Sequence, residues 1–292
     1  MTIISVENLK IRAGEKNIVD IDQLKFESPY VYGILGPNGS GKSTLLKAIC
    51  GVEGSHNGII EMDDKDVMAQ HEYVSSNTGS LIESPTFYPY STPLEFISYV
   101  SEMRNGKRTR EGDTLNEIIS MVNLGEKKNQ IMKYFSTGEL KRIGIAAAIA
   151  GDPKCVILDE PTDNIDLIGK DLITGIIKKM KEKGKLVIIA SHDVELLQNV
   201  CDEIIFLKEG KIAEIVNVKE ELVYFIKIKG TFDKSRLDLS DLSVKIEGDQ
   251  ISFRGDFNQI LKRIVNLDLQ IEEINLKNVL DQEYRKIFSD EI

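Results

Sequence analysis

"GPNGSGKS", Gly36 to Ser43, decides the reading of this chain. It fits G-x-x-x-x-G-K-[ST] without mismatch. The apolar run "YVYGIL" (30–35) precedes it as a compact strand, and "LLKAICG" follows as a helix, which is the context the motif needs. The glycines let the backbone N–H groups of Asn38, Gly39, Ser40, Gly41 and Lys42 turn inward around phosphate. The helix N-terminus adds partial positive charge. Lys42 is expected to reach the β- and γ-phosphates of a nucleotide. The Ser43 hydroxyl is expected to hold Mg²⁺, with Thr44 beside it in the first helical turn.

A second strand supplies the carboxylates. "CVILDE" ends in Asp159, which is expected near the Mg²⁺, and in Glu160, placed to activate an attacking water as general base. The competing reading of this pair is a solvated strand end.

Working outward, residues 3–11 and 18–26 alternate as a hairpin-like start. "KCVILDE" (154–160) and "KLVIIASHD" (185–193) are continuous apolar strands, as expected of a parallel sheet covered on both faces. Helix 167–183 lies between them and closes a βαβ unit. Residues 94–104 and 114–123 have helical spacing, and "GELKRIGIAAAIA" (138–150) is a helix rich in small residues. "CDEIIFLKEGKIAEI" reads as two strands around a Glu-Gly turn. "GSLIESPTFYPYSTP", Gly79 to Pro93, carries three of the seven prolines and reads as loop. Thr92, Pro93 and Glu95 have the pattern of a capping box that starts the next helix.

From about residue 220 the texture changes. "LVYFIKIKG", "LSVKIEG", "QISFRG" and "LQIEEI" read as strands, and "DFNQILKRIVNL" and "LKNVLDQEYRKIF" as helices. This is a small α+β unit without a candidate catalytic cluster. The expected division is 1–219 for the phosphate-binding domain and 220–292 for an appended accessory domain.

The formal net charge is −10, with 47 acidic against 37 basic residues, which argues against a broad nucleic-acid surface. Cys50, Cys155 and Cys201 lack CxxC spacing and are odd in number, so they read as buried free thiols of a reducing compartment. The longest apolar runs fall far short of the roughly 18 residues of a membrane span, and the N-terminus has no signal-peptide pattern.

The residues between the phosphate loop and Asp159 carry a family resemblance. "FSTGELKR", Phe135 to Arg142, is similar to the signature of ABC ATPases, with Ser136 and Gly138 at matching positions. "DEPTDNID" resembles that family's Walker B and D-loop, with Asp166 as the D-loop aspartate. "ASHD" puts His192 at the switch-histidine position. The resemblance covers roughly residues 1–215. It implies an α/β P-loop NTPase fold: a RecA-like core, an antiparallel β subdomain and a helical subdomain over about 84–151. It also implies ATP and Mg²⁺ as ligands. A head-to-tail dimer would bring Ser136 and Gly138 of one subunit to the γ-phosphate held by the other's Lys42.

The chain departs from the family pattern at several points. Thr137 and Glu139 replace a Gly and a Gln of the signature. Ala13 stands where many members stack an aromatic on adenine. Such stacking is worth on the order of 1–3 kcal/mol, so its loss predicts weak discrimination between ATP and GTP unless another side chain covers the base. Glu83 stands for the Q-loop glutamine and can still ligate a hard cation.

"LIESPTFYP" resembles the Q-loop region of exporter-type ATPases from bacterial peptide-resistance and bacteriocin-immunity systems. That makes Phe87, Tyr88 and Tyr90 candidate anchors for a helix of an integral membrane subunit. The alternative is that Phe87 and Tyr88 pack into the helical subdomain. The implied function is the ATP-hydrolysing subunit of a membrane exporter of a peptide or other amphipathic cargo. It would be held at the cytoplasmic face of the membrane and dimerise with itself or a similar subunit. Two readings stand beside it: a soluble ABC ATPase uncoupled from transport, and a degenerate cassette acting as a regulatory module.

Overall fold

Alternation builds the first layer. In β1 (Ile3–Ala13) and β2 (Lys16–Glu27), Ile4, Val6, Leu9, Ile11, Val19, Ile21, Leu24 and Phe26 face inward and are buried. The strands pair antiparallel from Ile3 opposite Glu27 to Ala13 opposite Lys16. Two strands that the sequence pattern did not show, β4 (His56–Met62) and β5 (Lys65–Asp66), complete a four-stranded sheet in the order β2-β1-β4-β5. The structure, a computed structural model, describes residues 1–53, 56–83, 88–106, 112–218, 222–229, 244–247, 249–254, 261–262, 264–265, 269–278 and 280–288. It divides into two units, Met1–Ile215 and Val216–Ile292.

The second layer is a six-stranded sheet of β3 (Val31–Leu35), β6 (Thr78–Leu81), β7 (Cys155–Asp159), β8 (Leu186–Ser191), β9 (Glu203–Lys208) and β10 (Lys211–Asn217), in the order β10-β9-β3-β8-β7-β6. Its inner strands β3, β7 and β8 are buried throughout, which is why they are apolar without alternation. Helix α1 (Lys42–Ile49) buries Leu45, Leu46, Ala48 and Ile49 in one core with both sheets. Helices α6 (Leu167–Glu182) and α7 (Val194–Val200) pack on the parallel strands through residues such as Ile173, Ile177 and Leu197.

Residues 79–81 correct the sequence reading. They were expected in a loop and instead form β6, paired parallel with β7 from Thr78–Cys155 to Leu81–Leu158. Gly79 makes this possible: a Cβ there would lie 1.6 Å from the Ala148 carbonyl oxygen, so only glycine admits the helix that crosses it. A strand this short before a proline cluster leaves no periodic signal. Helix α2 (His71–Asn77), just before it, was also not read.

Helices α3 (Pro93–Asn105), α4 (Gly112–Met121) and α5 (Thr137–Ile149) pack on one another. The capping box of α3 is present: the Glu95 N–H donates to Thr92 Oγ1 at 3.2 Å and the Thr92 N–H to Glu95 Oε2 at 2.9 Å.

The second unit holds an antiparallel sheet of β11 (Leu222–Ile228), β12 (Val244–Glu247), β13 (Gln250–Arg254) and β14 (Ile271–Asn278), in the order β12-β13-β11-β14, with helix α8 (Leu280–Phe288). Ile226, Ile251, Phe253, Ile264, Leu280 and Phe288 are buried in it. Leu276 to Asn278 were expected in the last helix but continue β14. Their pairing with Tyr224, Val223 and Leu222 outweighs local helical spacing. The helix expected over 256–267 lies mostly outside the described residues.

Candidate functional site

The site forms where adjacent parallel strands end. β3 delivers the loop 36–41, β7 delivers Asp159 and Glu160, and β8 delivers Ser191 and His192. The strands are in register, with Leu35 opposite Ser191 and Asp159 opposite Ala190. Ligand crevices of open parallel sheets lie at such carboxyl ends.

The loop needs glycine. Gly41 is the N-cap of α1 with φ 103°, and a Cβ on it would meet the Ile18 carbonyl at 2.6 Å. Asn38 and Gly39 are exposed at the tip, Ser40 is buried, and Thr44 is half-buried on α1. Lys42 is buried, and its Nζ donates to the carbonyls of Gly36 at 2.7 Å and Pro37 at 3.1 Å. Burial pulls its ammonium below the ordinary lysine range, against the opposing pull of Glu160, Asp159 and Asp163. Asp159 is buried too, and burial raises its pKa although the Ser43 hydroxyl bonds to it. Its Oδ1 is buried without a hydrogen-bond partner. A buried, unpartnered carboxylate oxygen beside a hydroxyl is a donor set that suits a hard divalent cation.

Glu160 lies beside Lys42, with Oε1 3.8 Å from the ammonium. Its Oε2 accepts from Ser191 Oγ at 2.9 Å and from the His192 N–H at 3.3 Å, and lies 3.0 Å from His192 Nδ1. Glu160, Asp163 and His192 each bring a ligand-capable atom within 4.8 Å of the others.

The family model described as "ABC transporter" matches residues 19–163, which hold the loop, Asp159 and Glu160. The bacitracin transport ATP-binding protein BcrA of Enterococcus faecalis is 31% identical over 75% of this chain and 70% of its own length. The tungstate uptake system ATP-binding protein TupC of Peptoclostridium acidaminophilum is 30% identical over 72% of this chain and 97% of its own.

The chain belongs to the ABC transporter ATP-binding family.

It is an ABC-type ATPase, the ATP-binding subunit of a transporter. The fold agrees: a dimeric ATP-binding cassette, captured after hydrolysis with ADP and Pi, superposes with a TM-score of 0.68 at 23% identity over 74% of this chain and 98% of that one.

The remaining positions matched by resemblance to ABC motifs cap helices or lie beside the caps. Ser136 caps α5: its Oγ accepts from the Glu139 N–H at 3.2 Å, and Glu139 Oε2 accepts from the Ser136 N–H at 2.9 Å. Glutamate at the Gln position of the ABC signature is therefore the return half of a capping box. A Cβ on Gly138 would lie 3.5 Å from the Asn164 carbonyl of the D-loop, an ordinary contact. Asp166 caps α6 by accepting from the Gly169 N–H at 2.9 Å. Among the described residues, no hydrogen bond joins Ser136, Gly138 or Asp166 to the phosphate loop.

Glu83, at the ABC Q-loop position, has φ 64°, is well exposed and accepts from Lys47 Nζ on α1. Ala13 is an exposed strand end. Tyr88 and Tyr90 are exposed, while Phe87 lies outside the described residues. Two contributors escaped the sequence reading. Lys141 bonds the Asp163 carbonyl at 3.4 Å, and Ser191 bonds Glu160. Ser191 stood in "ASHD" without any pattern to mark it apart from its neighbours.

Proposed function

We propose that this subunit hydrolyses Mg²⁺-ATP with Glu160 as general base, and that hydrolysis drives export of a peptide or other amphipathic cargo through a separate integral membrane subunit. The observation that carries the chemistry is the meeting of Lys42, Asp159 and Glu160 at the ends of β3 and β7. Backbone amides of 38–42, Lys42 and Thr44 bind the phosphates. Glu160 takes a proton from water as the water oxygen bonds to the γ-phosphorus and the β–γ bridging bond breaks, leaving ADP and phosphate. Ser43 and Asp159 would hold Mg²⁺, which supplies charge neutralisation at the phosphates. Glu83 reaches that shell only after leaving Lys47. His192, Ser136, Gly138 and Asp166 complete the site in a two-subunit ATP sandwich, and the dimeric structural relative supports such a sandwich. The likeness to the bacitracin transport subunit and the exporter-like loop after Glu83 support export at the cytoplasmic face. The likeness to the tungstate uptake subunit favours import as a second reading.

Glu160→Gln should lower turnover about 10²–10⁴-fold while ATP still binds. Lys42→Ala should instead weaken nucleotide binding itself. Normal turnover in Glu160→Gln would remove Glu160 from this role. Direction is decided in membrane vesicles holding the complete transporter, by whether ATP supplied on the subunit's side moves cargo away from that side.

A further inference from the structure

Glu160 stands one residue past the end of β7 with φ 44°, a left-handed backbone that a non-glycine residue keeps only when its surroundings hold it. Its N–H donates to the Ala190 carbonyl at 2.8 Å, extending the β7–β8 pairing by one step. That step sets Ser191, next after Ala190, against the Glu160 side chain. Ser191 has no exposed surface. Its hydroxyl accepts from the Asp193 N–H at 3.1 Å and gives its one proton to Glu160 Oε2 at 2.9 Å. The His192 N–H and Nδ1 crowd the same oxygen. The other oxygen, Oε1, is itself buried, has no hydrogen bond and lies 3.8 Å from the Lys42 ammonium.

We infer that Ser191 is a positioning residue for hydrolysis: it pins Oε2 of Glu160 so that Oε1 is the oxygen that takes the proton from water. The inference rests on Glu160 being the base. A glutamate has a long side chain, and its terminal torsion is broad and two-fold, so an unpinned carboxylate exchanges its oxygens and wanders. Reacting groups displaced by about 1 Å can lose on the order of 10² in rate. The hydroxyl removes that freedom from a buried position that substrate does not touch, so its effect belongs in kcat rather than in ATP binding.

The competing account is that Ser191 only satisfies the Asp193 N–H and fills the end of β8. Steady-state ATPase assays on the full chain, with melting temperature and ATP affinity measured alongside, separate the two. Ser191→Ala should lower kcat about tenfold to a hundredfold, with KM for ATP within about twofold of the parent. Ser191→Thr keeps the hydroxyl and should recover most of the rate. Should threonine not fit, Ser191→Cys has nearly the serine shape with a weak donor and should be folded and slow. Added to Glu160→Gln, Ser191→Ala should cost no further rate, because the carboxylate it positions is already gone. A folded Ser191→Ala protein with parental kcat overturns the inference. So does an equal further loss in the Glu160→Gln background. Normal turnover of Glu160→Gln alone would instead sink the base reading itself, whatever Ser191 does.

Discussion

Glu139 shows how a departure from the family signature resolves at the level of one side chain. Burial pushes its carboxyl up, but Lys127 and the hydrogen bonds with Ser136 outweigh burial and hold it below the usual carboxylate range. A carboxyl depressed in the folded state adds stability above its unfolded value of about 4.3. That contribution is lost as pH falls through the folded value. Glutamine at 139 keeps the capping geometry and loses the charge. Glu139→Gln should therefore melt lower than the parent near neutral pH, and the gap should close as pH drops below about 4. Thermal unfolding followed across that range tests it. A gap that does not change with pH would mean the Lys127 pair adds nothing.

Between elements, Arg104 fastens the helical layer to the sheet. From α3 it donates through Nη1 to the carbonyls of Ala150, Ala148 and Ala147 at the end of α5, and through Nη2 to Thr78 at the start of β6. The Ala148 and Ala150 carbonyls stand at a helix end, where the intrahelical partner is missing. Burial brings the guanidinium pKa down to about 10, so it stays charged at neutral pH. The same junction holds the Gly79 contact with Ala148. Arg104→Met should destabilise the Met1–Ile215 unit by about 1–3 kcal/mol, the cost of buried groups left without partners. Arg104→Lys should recover only part, since an ammonium lacks the planar fork. Urea unfolding of both variants measures this, and a methionine variant as stable as the parent would make the contacts incidental.

At the scale of the molecule, no helix among the described residues is long and apolar enough to cross a membrane; the contact proposed with a membrane subunit is tested on an exposed aromatic patch. Tyr88, Tyr90 and Tyr134 are 67%, 72% and 81% exposed. The Met132 and Lys133 N–H groups donate to Ser91 and Pro89, so residues 88–91 and 131–134 form one patch, and Tyr134 stands two residues before the signature Ser136. The proposed membrane-subunit contact thus reaches the start of α5. Tyr90→Ala with Tyr134→Ala should leave melting temperature and ATP binding nearly unchanged, since exposed positions usually matter within about 0.5 kcal/mol. Truncating interface aromatics commonly costs about 2 kcal/mol or more in binding, so co-purification with the membrane subunit should be lost. A doubly substituted protein that still co-purifies would place the contact elsewhere.

The phosphate loop, Asp159, Glu160 and the inner strands were legible in the chain alone, because each depends on local chemistry: glycines that permit a tight turn, and apolar runs buried on both faces. The capping box of Thr92 and Glu95 was likewise legible from residues three apart, whereas Ser136 and Glu139, at the same spacing, were read only as signature positions. The sequence did not show that 79–81 is a strand, since only the pairing with β7 and the carbonyl pressed against Gly79 make it one. Nor did it show that Leu276 to Asn278 extend β14. It gave no sign that Glu83 lies against Lys47, that Arg104 closes the end of α5, or that Ser191 holds Glu160. Each of these joins residues far apart in the chain. Their energies come from groups that meet only after the sheets are stacked, so no local pattern records them.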